Sequence, residues 1–179
     1  MYLRTTTHEK PTYMTYYSPQ AKPGWPTLAL IVMATALAAG LGSVASLQAP
    51  EFYLQLDKPS WAPPAWLFGP VWTVLYIMMA AAAWLVVRQQ RRASITPELA
   101  LFAVQLALNA LWTWLFFYWH QGALAVAEIV LLLCFVAMTA IAFARVRPLA
   151  GLLMLPYLAW VSFAGALTVS LWLRNPTLL

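Results

Sequence analysis

The stretch Ala123-Leu-Ala-Val-Ala-Glu-Ile-Val-Leu-Leu-Leu-Cys-Phe-Val-Ala-Met-Thr-Ala-Ile-Ala-Phe-Ala144 decides the fold. It holds one acid, Glu128, and no base over a length sufficient to cross a bilayer as a helix, for which about 20 apolar residues are needed. Four further stretches have the same character: roughly Thr27–Leu47, Trp66–Val87, Leu99–Trp119 and Leu149–Leu173. Between the five runs stand turn and charge signals at Pro50 to Pro64, Arg88 to Pro97, His120-Gln121-Gly122 and Arg145 to Pro148. The runs are about twice as long as a barrel strand and lack its alternation, which excludes a β-barrel. The expected fold class is an all-α membrane protein, a five-transmembrane-helix bundle.

Composition agrees. The 179 residues are 63% hydrophobic and only 8% charged, with a mean hydropathy of +0.73, whereas soluble domains carry about 25% charged residues. The net charge of +5 does not point to nucleic acid, because the basic residues are scattered over short loops. With five spans, the N-terminal tail and the second and fourth loops share one side, holding Arg4, Lys10, Lys22, Arg88, Arg91, Arg92, Arg145 and Arg147, against Lys58 and Arg174 on the other. The positive-inside rule therefore predicts a cytoplasmic N-terminus and an outward C-terminus. Helical spans favour an inner membrane, with an outer membrane left open. Residues 1–24 read as a flexible polar tail without the apolar core of a signal peptide, and residues 25–176 as one transmembrane domain; Met14 offers an alternative start. Cys134 is the sole cysteine, so no internal disulfide can form.

Within lipid, close helix contact depends on small residues. The first span offers Ala34, Ala38, Gly42 and Ser46 at intervals of four, readable as a seam inside one bundle or between two copies. The segment from Asp57 to Tyr76 packs four prolines and three tryptophans between Pro59 and Trp72. Prolines 59, 63 and 64 stiffen the loop, which reads as a lid, and Pro70 falls in the first turn of the second span, where its missing N–H costs little. Trp61 and Trp66 suit either the lid or the aromatic belt at the membrane surface. Trp72 lies deeper, with Tyr76 one turn further on the same face.

In the third span Gln105 and Asn109 share a face that Trp112 and Phe116 continue. Carboxamides at membrane depth must face protein or a cavity, so this stripe reads as either an interhelical hydrogen bond or the polar wall of a pocket. In the fifth span Pro156 is expected to kink the helix, Trp160 and Phe163 line one face, and Ala164 leaves room beside Trp160. Glu128 is expected either to snorkel toward the interface, the more common fate of an acid near a span's end, or to be paired within the bundle. His8 and His120 have no partner at ligand spacing, so no metal site is expected, and paired carboxylates, an activated nucleophile and a phosphate-binding glycine loop are all missing. Together these residues predict a pocket for a flat, apolar ligand.

Three motifs in order, Lys58-Pro-Ser-Trp-Ala-Pro-Pro-Ala-Trp66 with Phe68-Gly-Pro-Val-Trp-Thr73 and Leu75-Tyr76, then Gln105-Leu-Ala-Leu-Asn109, then Pro156-Tyr-Leu-Ala-Trp160 with Phe163-Ala164, resemble those of the TspO/MBR family of tryptophan-rich sensory proteins and translocator proteins. The resemblance runs from about Trp25 to Arg174. It implies a five-helix bundle, often a homodimer, that binds porphyrin, haem and drug-like aromatic molecules beneath its first loop, as a sensor or receptor in tetrapyrrole metabolism and stress response, with transport of porphyrin or lipid as the alternative. No cofactor is required; porphyrin or haem enters as ligand. The resemblance also carries the family's light-dependent porphyrin breakdown onto Trp72 and Trp160, and its loop aromatic onto Tyr53. The ligand-binding set it implies with the residue reading is Tyr53, Trp61, Trp72, Tyr76, Gln105, Asn109, Trp112, Trp160, Phe163 and Ala164. This chain departs from the family in having Thr168 where Asn is frequent, and in lacking the C-terminal sterol motif of animal members; Leu47, Tyr53 and Lys58 fit that loose pattern only in a loop.

Overall fold

A computed structural model describes residues 24–89 and 96–179. All of the expected tail but Gly24, and the loop arginines Arg91 and Arg92, lie outside the described residues. Five long apolar helices form the bundle: α1 (Trp25–Ala45), α3 (Phe68–Arg88, entered through a 3-10 turn at Ala65–Leu67), α4 (Thr96–Thr113), α5 (Gly122–Val146) and α6 (Pro148–Arg174). Each matches an expected span to within three residues at either end, apart from α4, whose helix changes type before the expected end. The chain is an integral, multi-pass membrane protein.

The bundle sorts its side chains against lipid rather than water. Exposed residues on α1 include Leu30, Met33, Leu37 and Leu41, while the buried core includes Met79, Ala82, Ala83, Val86, Leu132, Val136, Met154 and Tyr157. Small residues set the closest approach. At the α5–α6 hairpin a Cβ on Gly151 would lie 2.4 Å from the Ala144 Cβ and 2.8 Å from its Cα, so no side chain fits. Pro156 cannot donate to the preceding turn, yet α6 runs on unbroken through it.

Three local features differ from the sequence expectation. The break expected from Pro50 to Pro64 is not wholly irregular, for Ala49–Gln55 forms a short helix, α2, with Pro50 in its first turn. The last turn of the third span widens into a π-helix over Trp114–Tyr118. There the Trp119 N–H donates to the Trp114 carbonyl at 2.8 Å and the Gln121 N–H to the Leu115 carbonyl at 2.8 Å. His120 follows with φ 52 and stacks on Phe52 of α2, ring centroids 4.1 Å apart. Third, Glu128 does not snorkel. It is buried, and neither carboxylate oxygen has a hydrogen-bond partner, because its position on α5 turns it inward, away from the interface.

Candidate functional site: a charge-free cavity under a strapped lid

A cavity of about 580 Å³ lies between α1, α3, α4 and α6 beneath α2. Small-molecule sites span roughly 300–1,000 Å³, so the volume suits a drug-sized or larger flat ligand. Among the described residues no charged side chain lines it. Of the expected site residues, Tyr53, Trp72, Tyr76, Asn109, Trp112, Trp160 and Ala164 stand in the wall.

The other three are placed elsewhere. Trp61 and Phe163 meet edge to face at 5.7 Å outside the lining. Gln105 is fully buried below the cavity, where its Nε2 points at the Met79 sulfur at 3.8 Å and its Oε1 has no partner. The one-turn spacing put Gln105 and Asn109 on the same face correctly, but the cavity floor falls between them. Trp66 is 73% exposed, as a belt residue would be.

The wall is aromatic from mouth to floor. Tyr53 meets Phe68 at 5.6 Å, Phe68 meets Trp160 at 6.0 Å, and Trp160 meets Phe163 at 5.4 Å, so the rings around the mouth brace one another. Deeper, Trp72 lies 5.7 Å from Tyr76 and 6.1 Å from Tyr157. Tilted and edge-to-face contacts of this kind hold rings in fixed orientation. The Tyr76 hydroxyl donates to Asn109 Oδ1, which fixes the polar end of the wall. Three N–H donors of lining residues, Asn109 Nδ2, Trp112 Nε1 and Trp160 Nε1, are buried without a partner. Unpaired buried donors are rare in native interiors, and here they leave hydrogen bonds for a ligand acceptor to take.

Several lining residues were not expected: Phe68, Phe117, Thr113 and, on α1, Ala39, Gly42, Ser43 and Ser46. Phe68 stood within the quoted motif but carried no period of its own. Of the α1 residues, Gly42 and Ser46 belong to the small-residue stripe that reads as a packing seam, whereas Ala39 and Ser43 lie outside it. Gly42 serves both ends, because a Cβ there would sit 3.5 Å from Thr113 Oγ1 and 4.0 Å from the Tyr76 hydroxyl, at the cavity's edge.

The cover also differs from the expected lid. The cavity is roofed by Ala49, Pro50 and Tyr53 of α2 and by Ala65, and none of residues 59–64 lines it. The proline segment acts as a strap. The Tyr53 hydroxyl donates to the Pro63 carbonyl at 2.9 Å, and burial pushes that hydroxyl above its ordinary pKa of 10.0, so it stays a donor. Lys58 Nζ donates to the Tyr53 and Leu56 carbonyls at 2.8 and 3.0 Å, satisfying orphan acceptors at the end of α2. The strap is tied to the end of α6, where Asn175 holds the Asp57 backbone and Arg174 lies 3.4 Å from the Asp57 carboxylate.

Among the described residues no cluster of His, Cys, Asp and Glu is suited to a metal. What the arrangement offers is stacking faces, a few hydrogen bonds and exclusion of water.

Comparison with known proteins places this geometry. The TspO/MBR family model matches residues 9–173. The tryptophan-rich protein TspO of Chlorobaculum tepidum is 44% identical over 126 residues, covering 70% of this chain and 80% of that protein. Protein CrtK of Rhodobacter capsulatus is 41% identical over 155 residues, 83% of this chain and 92% of the relative. The human translocator protein is 38% identical over 128 residues, 70% and 75% respectively.

Proposed function

The chain belongs to the TspO/MBR family, and on that premise we propose that it is a membrane receptor or sensor for tetrapyrroles. The observation that carries the reading is the charge-free cavity walled by the indoles of Trp72, Trp112 and Trp160. Indole faces stack on a flat macrocycle, and the unpartnered N–H groups of Asn109, Trp112 and Trp160 supply donors for its polar substituents. With no cation among the described residues of the wall, ionised carboxylates of a bound porphyrin are left at the mouth, since burying them unpaired is costly.

Within the same reading, Trp72 and Trp160 flank a bound porphyrin whose light-dependent breakdown uses dioxygen as the oxidant, dioxygen being reduced as the macrocycle and the neighbouring indoles are oxidised. The protein sits in an inner membrane with its N-terminus in the cytoplasm, as the arginines of the second and fourth loops favour, and works as a homodimer. Titration of protoporphyrin IX against tryptophan fluorescence tests binding. Saturable quenching that weakens in Trp72→Phe and Trp160→Phe is expected, and quenching indifferent to both would overturn the reading. Illumination of the native and Trp72→Phe complexes, with loss of the porphyrin absorbance followed over time, tests turnover separately.

The name translocator, carried by the human relative, favours a second reading, transport of porphyrin or lipid. Proteoliposomes that bind protoporphyrin IX without accumulating it would argue for the sensor.

A further inference from the structure

We propose that the ligand reaches the cavity sideways from the lipid, through a slot between α1 and α3, while the strapped lid on the aqueous side stays shut. This rests on reading the cavity as a ligand site.

The lining itself shows the slot. On α1 it includes Ala39, Ser43 and Ser46, and on α3 Gly69, Thr73 and Ile77, each set spaced to share one helix face. Residues enclosing a sealed cavity would be buried. Instead Ser43, Gly69 and Thr73 are exposed, and Ile77 is 64% exposed. The cavity therefore continues out between these two helices, at a depth where the neighbour is lipid.

The edges of the slot are built for passage. They are uncharged and, Ile77 apart, small, and a Cβ on Gly69 would meet nothing within 4 Å. The Thr73 hydroxyl donates to the Gly69 carbonyl at 2.9 Å, so it presents no unsatisfied group to a passing apolar molecule. No hydrogen bond among the described side chains joins α1 to α3, so parting them breaks none there.

The aqueous end is the opposite. Lifting the first loop breaks both Asn175–Asp57 bonds and the Arg174–Asp57 contact, and pulling α2 off the strap breaks the Tyr53–Pro63 bond. Lifting the loop also separates Phe52 from His120 and Trp61 from Phe163, and wets the buried Phe52 and Tyr53. The route of least resistance is lateral, and it selects molecules already dissolved in the bilayer, flat and without a net charge on the part that enters.

The test uses full-length protein in phosphatidylcholine vesicles, with Cys134→Ala as background and Ser43→Cys paired with Thr73→Cys across the slot. A short, reducible bifunctional thiol reagent bridges the pair, and mass spectrometry confirms the bridge. Stopped-flow quenching of tryptophan fluorescence by protoporphyrin IX reads the rates. Bridging before loading is expected to slow uptake by about tenfold or more, bridging after loading to slow release equally, and reduction to restore both. Asn175→Ala, which unties the lid, leaves the bridged protein slow. Thr73→Phe, which narrows the slot without chemistry, slows uptake in the same direction. Uptake unchanged by the bridge, or restored by Asn175→Ala while the bridge is intact, overturns the lateral route. The unbridged protein is its own control, for if it fails to bind protoporphyrin IX at equilibrium the ligand-site reading falls first, whereas normal binding with bridge-insensitive rates refutes the route alone.

Discussion

The carboxamide of Asn175 holds the backbone of Asp57 from both sides: its Oδ1 accepts from the Asp57 N–H at 2.8 Å, and its Nδ2 donates to the Asp57 carbonyl at 3.1 Å. The same Nδ2 also donates to the Leu171 carbonyl at 2.8 Å, so one side chain ends α6 and ties the first loop to it. Asn175→Ala removes all three bonds: the Leu171 carbonyl keeps the backbone N–H of residue 175 at 3.0 Å, while the part-buried N–H and carbonyl of Asp57 lose their partners, at a cost of about 1–3 kcal/mol each where water cannot replace them. A lower melting temperature in detergent and faster proteolysis within residues 56–64 are expected. Asn175→Asp keeps the acceptor and loses the donors, and falls between.

The polar end of the cavity wall depends on the pairing of Tyr76 with Asn109. Asn109→Leu strips the Tyr76 hydroxyl of its acceptor in a partly buried site, and should cost about 1–3 kcal/mol of stability. Tyr76→Phe removes the donor instead and should cost less. The double variant should be less destabilised than the sum of the two, and thermal melts of all four proteins give the coupling.

Gly151 and Gly40 separate crowding from helix propensity. A methyl on Gly151 would overlap the Ala144 backbone, so Gly151→Ala should destabilise by about 1–3 kcal/mol through overpacking. Gly40 has nothing within 4 Å of a Cβ, so Gly40→Ala should be neutral or stabilising by up to about 1 kcal/mol. Equal melting temperatures for the two would contradict the tight α5–α6 hairpin.

Glu128 is buried with both oxygens unpartnered. An acid inside a bilayer that lacks a partner is a cost rather than a strut. Glu128→Gln should therefore melt at the same temperature as the parent or higher. A clear drop would show that the carboxylate has a partner when the protein is in its membrane.

Tyr53 supplies a pH dependence. Burial raises its hydroxyl above 10.0 in the folded protein. Below the unfolded value the group is protonated in both states and its contribution is complete. As pH climbs past about 10, the unfolded chain releases the proton while the folded chain keeps it, so stability falls. Melting curves from about pH 8 to about pH 11 should show a steeper alkaline loss in the parent than in Tyr53→Phe.

Much of this fold could be read from the chain because lipid imposes a simple rule, that apolar runs of sufficient length become helices. The five spans followed from it, as did the inward stripe of Asn109 and Trp112 and the depth of Trp72. Features set by tertiary contact did not. Gln105 shares a face with Asn109, but no periodicity says where a cavity ends. The helix α2 is too short to announce itself, and its one signal, Pro50 in the first turn, was counted among the breaks. The inward turn of Glu128 overrode the general tendency of acids near span ends to reach the interface. The small stripe on α1 was visible, yet a gap left for another helix and a gap left for a ligand have the same sequence pattern.

The π-helical turn at Trp114–Tyr118 has a consequence for length rather than chemistry. Each residue of an α-helix turns the chain by about 100°, so the extra residue held in that turn sets the phase of everything after it. Deleting one residue there would heal the helix into regular α-form and, by the same step, swing His120 off Phe52. A deletion that improves local geometry would thus misplace the support of the lid, while most substitutions within the turn preserve the phase.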